Sequence, residues 1–314
     1  MKLVASIPRK PKALRNGSKV AVFAPASPAD QLDVTAGIAE LRRLGFEFVP
    51  VQSPGPEGYF AAPASARLDA FLKAAQDREI AGLVALRGGY GATYLLGSDL
   101  AAQLEEPKCV IGFSDLTSLQ IYLWQMAGWV TFYGPMVAAG LNRGADDAHG
   151  YDEQSFLQAV TNVAGNWEIN LRGSAIVTGE AEGRLLGGCI TLLQTTLGTP
   201  WELDTDGSIL VLEDRGIRPY QLDRILMHLK QAGKLRGVRG FLLGEFPDSE
   251  PSVQSPSVLD VVQRILRPLG VPVVFGAAVG HTQRPMLTLP LGVRVRLSAT
   301  GEGKLAILEP AVVQ

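Results

Sequence analysis

The chain has 314 residues, 46% of them hydrophobic and 19% charged, with a net charge of −2. That length can bury a sizeable core and predicts about two domains, while the near-neutral balance provides no field to attract nucleic acid or an acidic membrane. No run approaches the roughly 18 apolar residues of a membrane span. The opening MKLVASIPRKPK is broken by prolines and charges where a secretory leader would carry its apolar centre, so a cytoplasmic protein is expected.

Lys19–Ala24 reads as a strand. Pro25-Ala26-Ser27-Pro28 then turns into a helix carried by Ile38, Leu41 and Leu44 and closed by Gly45. Phe46–Val51 is the next strand, Arg67–Gln76 a helix and Ile80–Leu86 a strand ending in the glycine-rich Arg87-Gly88-Gly89-Tyr90-Gly91. Leu95–Leu104 is expected to be helical. Residues 108–113 form a buried strand and 115–127 a helix, with Leu116, Leu119, Leu123 and Met126 at spacings of three and four. Val130–Tyr133 closes the series. This alternation predicts an α/β fold, a doubly wound, largely parallel sheet over residues 1–165, whose ligands bind at the carboxyl ends of its strands.

From Leu141 to Ser155 the chain turns polar, followed by a helix over Phe156–Val163. Residues 166–314 then read as a smaller mixed α+β domain. Short strands with glycine turns fill 167–188, and a helix covers 190–197. Strand Ser208–Glu213, helix Pro219–Ala232, strand Gly240–Phe246, helix Val258–Leu266 and strand Val271–Gly276 follow. A hairpin over Leu291–Leu308 turns at Gly301-Glu302-Gly303. Cys109 and Cys189 lie in apolar runs and read as buried small hydrophobes, not as a disulfide or a metal site. No metal and no cofactor is expected.

Ser114 stands where a strand ends and a helix begins, a point that gathers free backbone N–H groups and the positive end of a helix dipole. It suits a developing negative charge, though a serine there also serves as an ordinary N-cap. The spacing differs from G-x-S-x-G, since Leu116 occupies the second glycine position. Of three histidines, His149 sits in a polar loop beside Asp146 and Asp147, and His228 lies between the inward Leu226 and Leu229. His281 follows the small-residue run Gly276–Gly280, which allows close approach of backbone or ligand. Glu213 ends an apolar strand, where a carboxylate can hold an imidazole in one tautomer. Asp214 and Glu245 are its rivals for that role, and Glu213 could equally pair with Arg215 or Arg218. The Gly88-Gly89 turn can present bare N–H groups to an oxyanion.

Arg87–Gly91, the Gly112-Phe113-Ser114-Asp115-Leu116-Thr117 elbow, Leu212-Glu213-Asp214 ahead of Pro219–Arg224, and Gly280-His281 together resemble the LD-carboxypeptidase family of serine peptidases. That family includes muramoyltetrapeptide carboxypeptidases and microcin C immunity peptidases. The match in order and spacing runs along essentially the whole chain, including the opening Val20–Pro28. The resemblance implies a Ser114–His281–Glu213 triad, with the serine in the first domain and the other two in the second. It also implies an oxyanion hole from the Gly89 and Asp115 amides. The implied substrate is a small peptide, the murein tetrapeptide of wall recycling, or alternatively a peptidyl-nucleotide antibiotic held by an aromatic clamp, for which Phe60, Trp201 and Tyr220 are candidates. A homodimer is implied, and Arg87, Tyr90, Arg215 and Arg284 are open candidates for the substrate's carboxylates. Cys189 stands where relatives commonly carry asparagine.

Overall fold

The computed structural model describes residues 7–50, 54–97, 99–145, 147–251 and 254–314. Val51, at the end of the expected second strand, and Asp146, beside His149, lie outside them. The first half alternates β1 (Lys19–Phe23), α1 (Gln31–Arg43), β2 (Glu47–Pro50), α2 (Ala64–Gln76), β3 (Ile80–Ala85), β4 (Cys109–Gly112), α3 (Thr117–Ala127) and β5 (Thr131–Tyr133), with α4 (Glu153–Thr161) after it. The second half runs β6 (Trp167–Asn170), β7 (Ser174–Val177), β8 (Gly179–Cys189), α5 (Ile190–Thr195), β9 (Ser208–Glu213), α6 (Pro219–Gln231), β10 (Gly240–Leu243), α7 (Val258–Leu266), β11 (Val273–Phe275), β12 (Leu289–Leu291), β13 (Arg294–Ala299) and β14 (Lys304–Ile307).

The fold is α/β, with one largely parallel sheet and a second, mixed one. The first sheet has the order β12-β5-β4-β3-β1-β2 and is parallel except for β12. Its strands therefore run outward in both directions from the gap between β1 and β3, the switch point at which doubly wound sheets take their ligands. The loops carrying Ser27, after β1, and Gly88-Gly89, after β3, open there. The eight-stranded second sheet has the order β6-β14-β13-β8-β9-β10-β11-β7.

Leu289–Leu291 was not legible as a strand. It pairs antiparallel with β5, Leu289 opposite Tyr133, so a segment of the second half completes the edge of the first sheet. Leu95–Leu104 is also not the expected helix. Among the described residues it holds two 3₁₀ turns, Ala92–Leu95 and Ala101–Gln103, with Ser98 outside the description. Side chains take the backbone groups a helix would use: the Asp115 carboxylate accepts from the Ala92 N–H at 2.7 Å, and the Tyr122 hydroxyl accepts from Ala101 and donates to the Gly97 carbonyl.

The second sheet buries both faces. Along β9, Ile209 and Val211 belong to the core shared with the first half, while Leu210 and Leu212 pack among the residues of α5, α6 and α7. This is the two-residue period of a strand. The same alternation carries Glu213 onto the face of Ile209 and Val211, toward the first half.

Candidate active site

The elbow after β4 begins at Ser114 with φ of +61°, a left-handed backbone that L-residues adopt rarely and at a cost. Its hydroxyl does not cap the helix; the turn has no side-chain cap. The ordinary N-cap role is therefore absent, and the Oγ is left for other use. Gly88 comes so close that a Cβ there would stand 2.9 Å from Ser114 Oγ, and one at Gly89, where φ is +110°, would stand 2.3 Å from Ser27 Oγ. A side chain at either position would displace the serine or its neighbour, which is why this turn is glycine. Apart from bonds within helices and strands, neither the Gly89 nor the Asp115 amide donates to any group of the described residues. The buried Asp115 carboxylate, raised by its burial against the pull of the Ala92 and Gly91 amides, anchors the neighbouring loop instead.

Glu213 is fully buried and receives three donors. The His281 backbone N–H and ring Nδ1 each stand 2.8 Å from Oε2, and the Tyr133 hydroxyl donates to Oε1. A Cβ on Gly280 would fall 2.3 Å from the carboxylate carbon, so the small-residue run before His281 is what lets the chain close over the acid. The rivals of Glu213 are engaged elsewhere. Asp214 takes the Thr191 N–H and hydroxyl, and Glu245 pairs with Arg284.

Ser114 and His281 line one cavity of about 630 Å³, together with Gly89, Cys189, Asp214 and Arg215. His281 and Arg215 also face a smaller cleft of about 330 Å³ that includes Phe113, Arg143 and His149. Among the described residues no hydrogen bond joins Ser114 Oγ to the imidazole. The ring meets Phe113 edge-on, with centroids 5.1 Å apart. Ser114, Gly89 and His281 thus share one cavity, with the Glu213 carboxylate buried behind the imidazole.

Several candidates read from the sequence do not face that opening freely. Arg284 is held by Glu245 and by the Arg172 and Gly276 carbonyls, Arg87 donates to the Pro28 carbonyl, and Arg215 pairs with Asp248 at 2.6 Å. Trp201 packs edge-on against Tyr122 at 5.5 Å. Phe60 and Tyr90 belong to a surface cluster with Tyr59 and Tyr94. His149 is exposed and His228 contacts Gln194. Two residues placed at the site were not singled out from the sequence. Arg224 lines the larger cavity, its guanidinium 5.7 Å from the centre of the Tyr220 ring, with no carboxylate partner among the described residues. Tyr133 reaches Glu213, and its position beside Gly112 in the β4–β5 register was the available clue.

The pair has opposed shifts. Burial alone would raise the Glu213 carboxyl, but the His281 charge and the converging donors outweigh it and hold it below its ordinary 4.5. Burial alone would lower His281, but Glu213 outweighs that and raises it above its ordinary 6.5. Two signs follow. The stabilisation owed to His281 is complete below 6.5 and is lost as pH rises through its raised value. That owed to Glu213 is complete above 4.5 and is lost as pH falls through its lowered value. Urea unfolding as a function of pH should therefore show the pair's full contribution between 4.5 and 6.5. Any reaction that uses neutral His281 as a base should lose kcat/KM on the acid side with a midpoint above 6.5.

Among the described residues no group of three or more His, Cys, Asp or Glu is disposed to hold a metal, and no helix is long and apolar enough to cross a membrane. A family model described as the LD-carboxypeptidase N-terminal domain matches residues 20–134, and one described as the C-terminal domain matches 182–297. A probable murein peptide carboxypeptidase of Bacillus subtilis is 34% identical over 317 residues, which is 99% of this chain and 98% of the relative. The crystal structure of a muramoyltetrapeptide carboxypeptidase from Oxalobacter formigenes is similar with a TM-score of 0.79 at 30% identity, over 92% of this chain and 98% of that one. The structure of MccF in complex with glutamyl sulfamoyl guanosine shares the fold, with a TM-score of 0.86 at 22% identity, over 96% and 99% of the two chains.

Proposed function

The chain belongs to the LD-carboxypeptidase family and is a serine-type carboxypeptidase; on that premise we propose that it removes the C-terminal D-alanine of murein tetrapeptide through Ser114, His281 and Glu213. The observation that carries this reading is the imidazole held by a buried carboxylate at the mouth of the cavity that Ser114 lines.

In the proposed route His281 Nε2 takes the Ser114 proton as Oγ attacks the carbonyl before the D-residue. The two must close to hydrogen-bond distance as substrate fills the cavity, a tightening that resting enzymes commonly await. The Gly89 and Asp115 amides receive the oxyanion. His281 then gives its proton to the leaving amine, D-alanine departs, and an acyl-enzyme ester remains. Water, deprotonated by His281, attacks that ester and frees the tripeptide. Glu213 keeps Nδ1 protonated throughout and offsets the imidazolium charge. The tripeptide portion occupies the larger cavity, with Arg224 offering the free cation for one of its carboxylates. The released residue leaves by the smaller cleft past the imidazole that protonates it. The same reading carries a cytoplasmic location in wall recycling and a homodimer.

The test is mass spectrometry of L-alanyl-γ-D-glutamyl-meso-diaminopimelyl-D-alanine after incubation with the enzyme, beside glutamyl sulfamoyl guanosine in a parallel reaction. Loss of the terminal alanine alone supports the proposal. Cleavage of the nucleoside conjugate with the tetrapeptide left intact replaces it with a detoxifying peptidase, and turnover of neither removes the substrate assignment.

A further inference from the structure

Beyond the three residues above, one side chain touches both halves of the site. Tyr133 ends β5 and is fully buried. Its hydroxyl donates to Glu213 Oε1 and accepts from the Ser114 N–H at 3.4 Å, with the Thr117 hydroxyl as a further partner. Thr117 in turn accepts from the Cys189 N–H at 3.1 Å. The room for this contact is made by Gly188, where a Cβ would meet both Thr117 Oγ1, at 2.8 Å, and a Tyr133 ring carbon, at 2.9 Å. Ser114 belongs to the first sheet's elbow and Glu213 to the second sheet. The phenol is therefore a bridge between the backbone of the nucleophile and the acid that orients its base.

We infer that Tyr133 is a positioning residue for the hydrolysis proposed above, acting through Glu213 and the Ser114 turn without touching substrate. A phenol donating to one carboxylate oxygen draws negative charge away from the other oxygen, where His281 is bound. It also ties the elbow to the acid, so that the serine and the imidazole approach each other from a common anchor. Removing only that hydroxyl leaves Glu213 a stronger partner for the imidazolium and a looser one for the site. Asp214, Arg215 and Cys189 also face the pair, and Tyr133→Phe alters none of these three groups.

The inference rests on the serine-hydrolase reading, and a fluorophosphonate probe that labels Ser114 separates the two without any peptide substrate. Labelling rates are measured from pH 5 to 9 for the wild type, Ser114→Ala and Tyr133→Phe, with near-UV circular dichroism confirming the fold of each. Tyr133→Phe is expected to lower the plateau rate about tenfold or more, the rate equivalent of one lost hydrogen bond to a charged group. Its acid-limb midpoint is expected to move to higher pH, which a general loss of stability would not do. A midpoint that stays at the wild-type position in the folded variant overturns the inference, whatever the plateau does. Wild-type protein left unlabelled, or Ser114→Ala labelled as fast as wild type, overturns the underlying reading and the positioning role with it.

Discussion

Ser114→Ala is expected to abolish release of D-alanine from the tetrapeptide, lowering kcat on the order of 10⁶-fold, while the protein stays folded. Both parts of that expectation have a structural cause. The elbow's other polar side chains are engaged, Asp115 with the Ala92 amide and Thr117 with the Cys189 amide, so neither is placed to take over the acyl transfer. It also makes no hydrogen bond among the described residues, and Ala and Ser meet the same φ of +61° with the same Cβ, so its loss strains nothing new. Urea unfolding should place the variant within about 0.5 kcal/mol of wild type. Single-turnover assays followed by mass spectrometry make the decisive measurement, since they also detect a trapped acyl-enzyme in wild type that the variant cannot form. Turnover within tenfold of wild type would take Ser114 out of the chemistry.

Glu213→Gln should cost less but still heavily, about 10⁴-fold in kcat, with KM little changed. The carboxylate satisfies three donors at once, two at Oε2 and one at Oε1. A carboxamide has one acceptor oxygen and one donor nitrogen. Turned with its nitrogen to His281, it forces the ring into the tautomer whose Nε2 carries the proton and is no base. Turned the other way, it faces the Tyr133 hydroxyl with N–H and leaves that phenol without an acceptor. In both cases the imidazolium formed during the reaction loses its counter-charge. One unsatisfied buried donor is worth about 1–3 kcal/mol of folding free energy as well. The distinguishing readout is the pH profile: without the carboxylate the acid limb should fall back toward or below 6.5 as burial alone acts on His281. A variant with an unmoved limb and undiminished kcat would show that Glu213 merely fills space.

Much of this molecule was readable before any coordinates. The strand–helix alternation through residue 133 left the doubly wound sheet with few alternatives, because short apolar strands alternating with amphipathic helices suit a parallel sheet whose two faces the helices cover. The elbow at Ser114 was visible from the change of period at one residue. The small-residue run before His281 already signalled a close approach, and the structure supplies its object, the carboxylate that a Cβ at Gly280 would strike. Residues 95–104 misled because the Tyr122 hydroxyl, distant in sequence, claims the Ala101 N–H and the Gly97 carbonyl, and Asp115 pins the Ala92 N–H just ahead of the segment. β12 was missed for a similar reason: a three-residue strand has no period of its own and exists only because β5 offers it an edge.

The choice among Glu213, Asp214 and Glu245 shows where reading of the chain stops. Each ends or follows an apolar strand; local pattern favours Glu213 and turns its neighbour Asp214 to the other face, but it leaves Glu245, which also ends an apolar strand, as a rival. Strand alternation decides which face an acid takes, but not what waits on that face. Folding of the second half sets His281 on Glu213, turns Asp214 to Thr191 and sends Glu245 to Arg284, and docking of the second sheet against the first then adds Tyr133. Periodicity, glycine placement and strand ends are local quantities, so the order of residues was enough to determine the layers and to nominate the hydroxyl, the imidazole and a short roster of acids. Which donors converge on which oxygen depends on contacts between segments more than 60 residues apart, formed within the second half for His281 and across the two halves for Tyr133, and such contacts exist only once the chain has packed.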